Sequence, residues 1–507
     1  MNEGTRTSNS TKNIKFGLIN RITAMILSFV SRRLFIDFIG IEYLGINSLF
    51  AEILGMLSLA DLGFGTAMAY SFYRPIADKD NDKISALVNF YKKIYNYIAL
   101  AISILGVVII PFLNVLIRTD KEISNLTLYY LVFLCNTVVS YLFVYKSTII
   151  SASQKSYIVL KYQMWINFIK VILQVGITVV TGSYLIYISV EILTTLLNNI
   201  VISRKANELY PEIKERRDLT REEKKNIYSN LKSVFLYKLA GSLLNGTSNT
   251  LISIICGTIY VGYYSNYNTI ISNINAFIVI IFASLTSSIG NLIVKEDKQK
   301  RYSIFRMMQM ASFTIATFCT VCLYNLTNDF IVLWLHTSEY LLDDFSLIAI
   351  LINFYLAITL QPLWSYREAT GLYRKTRYIM VLAAIVNLVV AIFLGRLFGL
   401  GGIIFASFIA KMTTYVWYEP KLLFNEYFEK SVLSYYVEHI ENALLTLICI
   451  VLSNSLIKNI DSLNLLNWFL KAFISTGVVF IFVIIRYSWT EEFKFLRNKL
   501  RDIVKKT

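Results

Sequence analysis

Residues 94–117 read IYNYIALAISILGVVIIPFLNVLI. They hold no charged side chain and lie between Lys92, Lys93 and Arg118. A bilayer-spanning helix needs about 20 mainly apolar residues, and this stretch meets that length without interruption. Comparable stretches occur on both sides, at 14–36, 44–72, 124–146, 157–181, 183–203, 232–256, 260–293, 304–326, 345–366, 377–398, 400–418, 436–457 and 464–486. Together they predict an all-α integral membrane protein of about 14 transmembrane helices. With 56% hydrophobic residues in a chain of 507, no soluble core could absorb the apolar surface.

The loops between these stretches alternate in charge. The termini and the even-numbered hairpins carry 38 Lys and Arg, and the odd-numbered hairpins carry four: Arg118, Lys121, Arg396 and Lys458. Positive loops stay in the cytoplasm, which predicts an even number of spans and both termini cytoplasmic. The net charge of +16 is therefore read as topology and headgroup attraction rather than as a nucleic-acid surface. Its longest concentration, Arg204 to Lys232, is mixed with Glu208, Glu212, Glu215, Glu222 and Glu223, as in a solvated amphipathic linker.

Several chemistries lack their residues. No phosphate-binding G-x-x-x-x-G-K-[ST] occurs. Neither histidine, His336 or His439, has a metal-type partner at helical spacing, and Cys319-x-x-Cys322 lies within an apolar span, where packed thiols are the plainer reading. No cofactor, metal site or catalytic residue is expected.

The chain repeats itself. Placing 13–50 on 230–267, an offset of 217, aligns Gly40-Ile-Glu-Tyr43-Leu-Gly45 with Gly257-Thr-Ile-Tyr260-Val-Gly262, and Arg21 with Lys238. Each glycine motif marks a tight hairpin between the first two spans of its half. Six spans separate the repeats, so both halves enter the membrane in the same sense, as in parallel-repeat transporters. The expected organisation is a cytoplasmic N-terminus (1–13), a six-helix bundle (14–203), a cytoplasmic linker (204–231), a second six-helix bundle (232–424), two extra transmembrane helices (425–486) and a basic tail (487–507).

Charge inside a span costs about 2.5–3.5 kcal/mol near the bilayer centre, so it usually serves a cavity. Arg21, Ser28 and Arg32 fall on one face of span 1, and Lys238, Asn245 and Asn249 take the matching places in span 7. The plainer alternative is that Arg21 and Arg32 snorkel to opposite surfaces. Span 5 adds Gln163, Asn167, Lys170 and Gln174 on one face, and span 12 adds Lys411. The membrane acids are Glu52 and Asp61 in span 2 and Glu191 in span 6. Asp61, within a small-residue stretch ending Gly63-Phe64-Gly65, is preferred over Glu52 for ion coupling, with Glu191 second. Each acid could instead be half of a structural ion pair. Several cations with few acids suit an anion such as a diphosphate. Pro362 is expected to bend span 10.

The six-plus-six-plus-two order, the Gly-x-x-Tyr-[Leu/Val]-Gly hairpins and Leu59-Ala-Asp61-Leu-Gly63 resemble the polysaccharide-transport branch of the multidrug/oligosaccharidyl-lipid/polysaccharide (MOP) flippase superfamily, which includes O-antigen-type and capsule flippases. The resemblance implies movement of undecaprenyl-diphosphate-linked oligosaccharide across a bacterial cytoplasmic membrane by alternating access, coupled to protons or sodium. It implies membrane lipids and polysaccharide polymerase machinery as partners. It places Arg21, Arg32 and Asp61 in the cavity, and Lys170, Lys238 and Lys411 extend that set. The alternatives are a multidrug antiporter or a lipid II flippase of the same superfamily. More remote is a membrane polymerase or glycosyltransferase using the longest external loop, 327–344, with Asp329, His336, Glu339, Asp343 and Asp344.

Overall fold

The computed structural model describes residues 3–494 apart from 59–63, 120–122, 216, 226, 229–238, 240, 245, 296–297, 371 and 462–463. Every regular element among the described residues is helical, as expected. Contacts divide the chain into two compact units, Met1–Gly262 and Tyr263–Thr507. Unit 1 contains α1 (Glu3–Phe38), α2 (Ile41–Leu57), α3 (Phe64–Asp78), α4 (Asn81–Ile109), α5 (Leu113–Leu116), α6 (Leu126–Tyr141), α7 (Val144–Ala152), α8 (Ser156–Thr181), α9 (Tyr184–Leu209), α10 (Ser248–Ile255) and the start of α11 (Thr258–Lys295). Unit 2 contains the rest of α11, then α12 (Lys298–Leu335), α13 (Asp344–Thr359), α14 (Gln361–Thr370), α15 (Tyr373–Thr413), α16 (Tyr415–Leu423), α17 (Leu433–Ile457) and α18 (Leu465–Tyr487).

Among the described residues, seven helices are long and apolar enough to cross a membrane, or nine if each of two bent pairs is one span. The fourteen expected spans are not all visible by this measure. Spans 2 and 7 run through 59–63 and 229–238, which lie outside the described residues. Spans 11 and 12 are merged in α15, whose 41 residues would stretch about 60 Å as one straight helix, twice a bilayer core. Gly399 breaks it with φ 59° and ψ −139°, at the boundary the sequence placed between 377–398 and 400–418. The two hairpin glycines also carry positive φ, 108° at Gly40 and 114° at Gly257.

Two spans bend for different reasons. α13 and α14 meet at 44°, with Pro362 at the second position of α14, where its missing N–H costs little. α6 and α7 meet at 42° with neither proline nor glycine at the break. There Asn199 Nδ2 donates to the Val139 carbonyl (2.8 Å), which also accepts the Leu142 N–H (3.3 Å). A side chain inserted into the i→i−4 ladder is a recognised cause of kinks.

Helices α17 and α18, read from sequence as an appendage, are bound to α12 along its length. Arg306 pairs with Glu438 and Glu492, Thr317 with Thr446, and Asn325 donates to both Ser453 and Ser475. Lys471 and Asp329 close the far end at 2.7 Å. Lipid tails are as apolar as leucine, so packing and polar contacts of this kind, rather than the hydrophobic effect, hold membrane helices together.

The segment after α9 is docked, not free. Ile213 and Leu219 are buried, and the Glu215 carbonyl accepts Ser85 Oγ (2.6 Å) and Asn89 Nδ2 (2.8 Å) from α4. Lys83–Glu223 adds a half-buried ion pair, and Lys93–Asp218 and Arg217–Asp82 add exposed ones.

Candidate functional site: a polar cavity among membrane helices

Inside unit 1, α1, α8 and α9 line an open cavity of about 300 Å³. The i, i+4, i+7 face of α8 brings Gln163, Asn167 and Lys170 to it, as their spacing predicted. α1 contributes Asn20 and Ala24, and α9 contributes Glu191, Thr194, Thr195 and Asn198. Lys170 Nζ donates to Glu191 Oε1 at 3.1 Å, and Gln174 Nε2 lies 3.5 Å from Glu191 Oε2 and 3.3 Å from the Tyr187 carbonyl. Arg32 and Glu191 both lie within electrostatic reach of the Tyr187 phenol. The polar column thus continues along α1 and α9 beyond the cavity.

Two of the expected site residues, Lys170 and Glu191, therefore meet in the cavity lining, and Arg32 lies outside that lining, close to Tyr187 of α9. Arg21, next to Asn20 on α1, is half-buried. Asp61 and Lys238 lie outside the described residues. Lys411 belongs to unit 2, where it is buried and donates to Asn353 Oδ1 at 2.9 Å; Asn353 in turn donates to the Ile404 carbonyl. That arrangement ties span 12 to span 10.

Glu52, ranked below Asp61 in the sequence, has a defined role. Its Oε2 accepts the Asn249 N–H (2.9 Å), and its Oε1 accepts the Thr250 N–H (2.8 Å) and Thr250 Oγ1 (3.0 Å). These amides open α10, whose own N-cap residue, Thr247, makes no side-chain cap bond. A carboxylate from another helix completes the helix start, where free N–H groups and the dipole favour an anion. The one available sequence signal was an unpaired acid within an apolar span; its partner is a backbone 197 positions away.

Two of the four acids of the longest external loop have structural partners. Asp329 pairs with Lys471, and Asp343 caps α13 by accepting the Ser346 N–H at 3.1 Å. Unit 2 also holds a cavity of about 620 Å³ with mainly aliphatic and aromatic walls, among them Ile348, Leu351, Phe408, Ile440 and Leu447.

Several helices of this length and apolarity define a multi-pass membrane protein. The fold is shared with solved transporters of the MOP superfamily. The lipid II flippase MurJ, in an inward closed conformation, is similar at TM-score 0.67 and 17% identity, covering 94% of this chain and 99% of that one. An inward-facing MATE-family multidrug resistance transporter of the MOP superfamily is similar at TM-score 0.58 and 15% identity, covering 79% of this chain and 96% of that one. A MOP superfamily transporter from Pyrococcus furiosus, described as having a binding pocket of reversed polarity, is similar at TM-score 0.53 and 16% identity over 82% of this chain and 95% of that one. No protein-family model and no curated protein matches the chain.

Proposed function

We propose that this protein is a flippase that moves polyprenyl-diphosphate-linked oligosaccharide across the bacterial cytoplasmic membrane by alternating access, with both termini cytoplasmic. The observation that carries the reading is the polar cavity among α1, α8 and α9, in a fold shared with a lipid II flippase along 94% of this chain. Polar side chains in a membrane interior are costly unless they serve a pathway. Arg21, Arg32 and Lys238 are the cations assigned to the diphosphate, because guanidinium and ammonium groups match phosphate oxygens. Asp61 is assigned to proton or sodium coupling. Glu191 is already matched by Lys170.

Lipid II transport is the second reading, favoured by the greater coverage of the lipid II flippase than of the multidrug transporter. The test is flipping of fluorescent polyprenyl-diphosphate oligosaccharides, lipid II among them, in proteoliposomes with and without a proton or sodium gradient. Gradient-stimulated movement supports a coupled flippase, and preference among the lipids identifies the sugar class. Folded, oriented protein that moves none of them removes the reading.

A further inference from the structure

We infer that the cavity between α1, α8 and α9 receives the uncharged sugar portion of the transported lipid, and neither its diphosphate nor a coupling cation. The inference rests on the flippase reading and adds which part of the substrate this cavity holds.

The charges of the cavity lining cancel. Lys170 and Glu191 are its two charged residues, and they bind each other at 3.1 Å. A phosphate drawn toward Lys170 also approaches Glu191. Two like unit charges 4 Å apart repel by about 4 kcal/mol at an effective dielectric constant of 20, which offsets the attraction of the ammonium. A cation drawn toward Glu191 meets Lys170 with the same result. Neither sign of ligand gains from the pair as it stands.

The remaining polar lining is neutral and two-sided. Asn20, Gln163, Asn167 and Asn198 each offer an acceptor oxygen and a donor NH₂, and Thr195 offers a hydroxyl, while the Thr194 hydroxyl donates to the Val190 carbonyl at 2.9 Å. Sugar hydroxyls likewise donate and accept. At about 300 Å³ the cavity lies at the lower end of small-molecule sites, a size suited to a hexose-like group. A polar ligand here replaces water without placing a net charge among the helices, which is the costly step in a membrane interior.

The test uses full-length protein in nanodiscs and two probes: undecaprenyl diphosphate bearing one N-acetylhexosamine, and bare undecaprenyl diphosphate. Asn167→Leu removes a carboxamide of similar size, and Thr195→Val, the gentler change, removes one hydroxyl. Thermal melting confirms that each variant folds. The expected result is tighter binding of the sugar-bearing probe by wild type. That probe's Kd then rises about tenfold in Asn167→Leu and less in Thr195→Val, while the Kd of the bare probe stays unchanged. Three results would overturn the inference and leave the flippase reading standing: equal affinity of wild type for both probes, equal weakening of both in Asn167→Leu, or loss of bound radioactive sodium in that variant. Unchanged affinity for both probes in both variants would also overturn it. Wild-type protein that binds neither probe removes the flippase reading and this inference together.

Discussion

Gly45 and Gly262 are 217 positions apart, and each lies against the backbone that opens the other's helix. A Cβ at Gly45 would fall inside 3.0 Å of the Thr258 carbonyl oxygen, and a Cβ at Gly262 inside 3.0 Å of the Ile41 carbonyl oxygen. Ile41 and Thr258 are also 217 apart. The same contact is therefore made twice, with the repeats exchanging roles, and all four residues lie in unit 1. Gly45→Ala and Gly262→Ala should each destabilise unit 1 by about 1–3 kcal/mol, the usual cost of overpacking. Gly55→Ala, on the same α2 with nothing within 4 Å of its added Cβ, should not. Thermal melting in detergent distinguishes them, and equal melting of all three variants would remove the close-contact explanation.

Glu52 closes the start of α10. Glu52→Ala leaves two backbone N–H groups and one hydroxyl without their acceptor, at about 1–3 kcal/mol for each buried group left unpaired. Hydrogen exchange at Asn249 and Thr250 should accelerate while exchange in the middle of α8 stays unchanged. Uniform acceleration would point to general unfolding instead.

Lys170 and Glu191 form a partly exposed pair, with side chains 24% and 40% accessible. Breaking it with Lys170→Met or Glu191→Gln should cost about 1 kcal/mol, discounted for that exposure. The double variant should recover much of the loss, because no charge is then left alone. Additive losses in a double-mutant cycle would show that the two side chains act separately.

Lys471–Asp329 is more enclosed, with side chains 9% and 19% accessible. Removing one partner from a buried pair costs about 3–5 kcal/mol. Lys471→Met should therefore loosen α18 from α12, and Lys471→Met with Asp329→Leu should restore much of the melting temperature. A double variant no better than the single would overturn this.

The docked segment after α9 is held in part by exposed pairs, so it should respond to salt. At 1 M the screening length is about 3 Å, and trypsin cleavage near Arg217 and Arg221 should speed up with added NaCl. The Asp218 carboxyl is held below the usual aspartate value, chiefly by its hydrogen bond from Lys93. Its contribution is present above the ordinary aspartate pKa and is lost as pH falls through the lowered value. Cleavage should thus rise only in strongly acidic solution, checked with an acid-active protease.

How far the sequence reached depends on where each signal lay. Gly40, Gly257 and Pro362 act through their own backbones, so the breaks at them were visible from single residues, while the break at Gly399 was marked only by the boundary between the apolar stretches 377–398 and 400–418. The face of α8 was visible because helical spacing alone brings Gln163, Asn167 and Lys170 together. The bend after Tyr141 was not, because its cause is Asn199, 60 residues later. Glu52 was passed over for the same reason: an acid whose partners are main-chain amides of a distant helix shows no complementary side chain to find. The sequence placed Lys170 with the diphosphate cations and Glu191 with coupling, since composition lists charges without showing which ones meet.

The contacts that fasten α17 and α18 to α12 have a consequence for synthesis. Asp329 and Lys471 are 142 residues apart. At about 5–20 residues per second, Asp329 leaves the ribosome roughly 7–28 s before its partner exists. Asn325 waits similarly for Ser453 and Ser475, 128 and 150 residues later. Throughout that interval α12 is a nascent segment whose Asn325 and Asp329 lack these partners. A chain truncated before Leu433 would leave that wait without an end, and its fate would be decided by quality control at the membrane rather than by the stability of the helices already made.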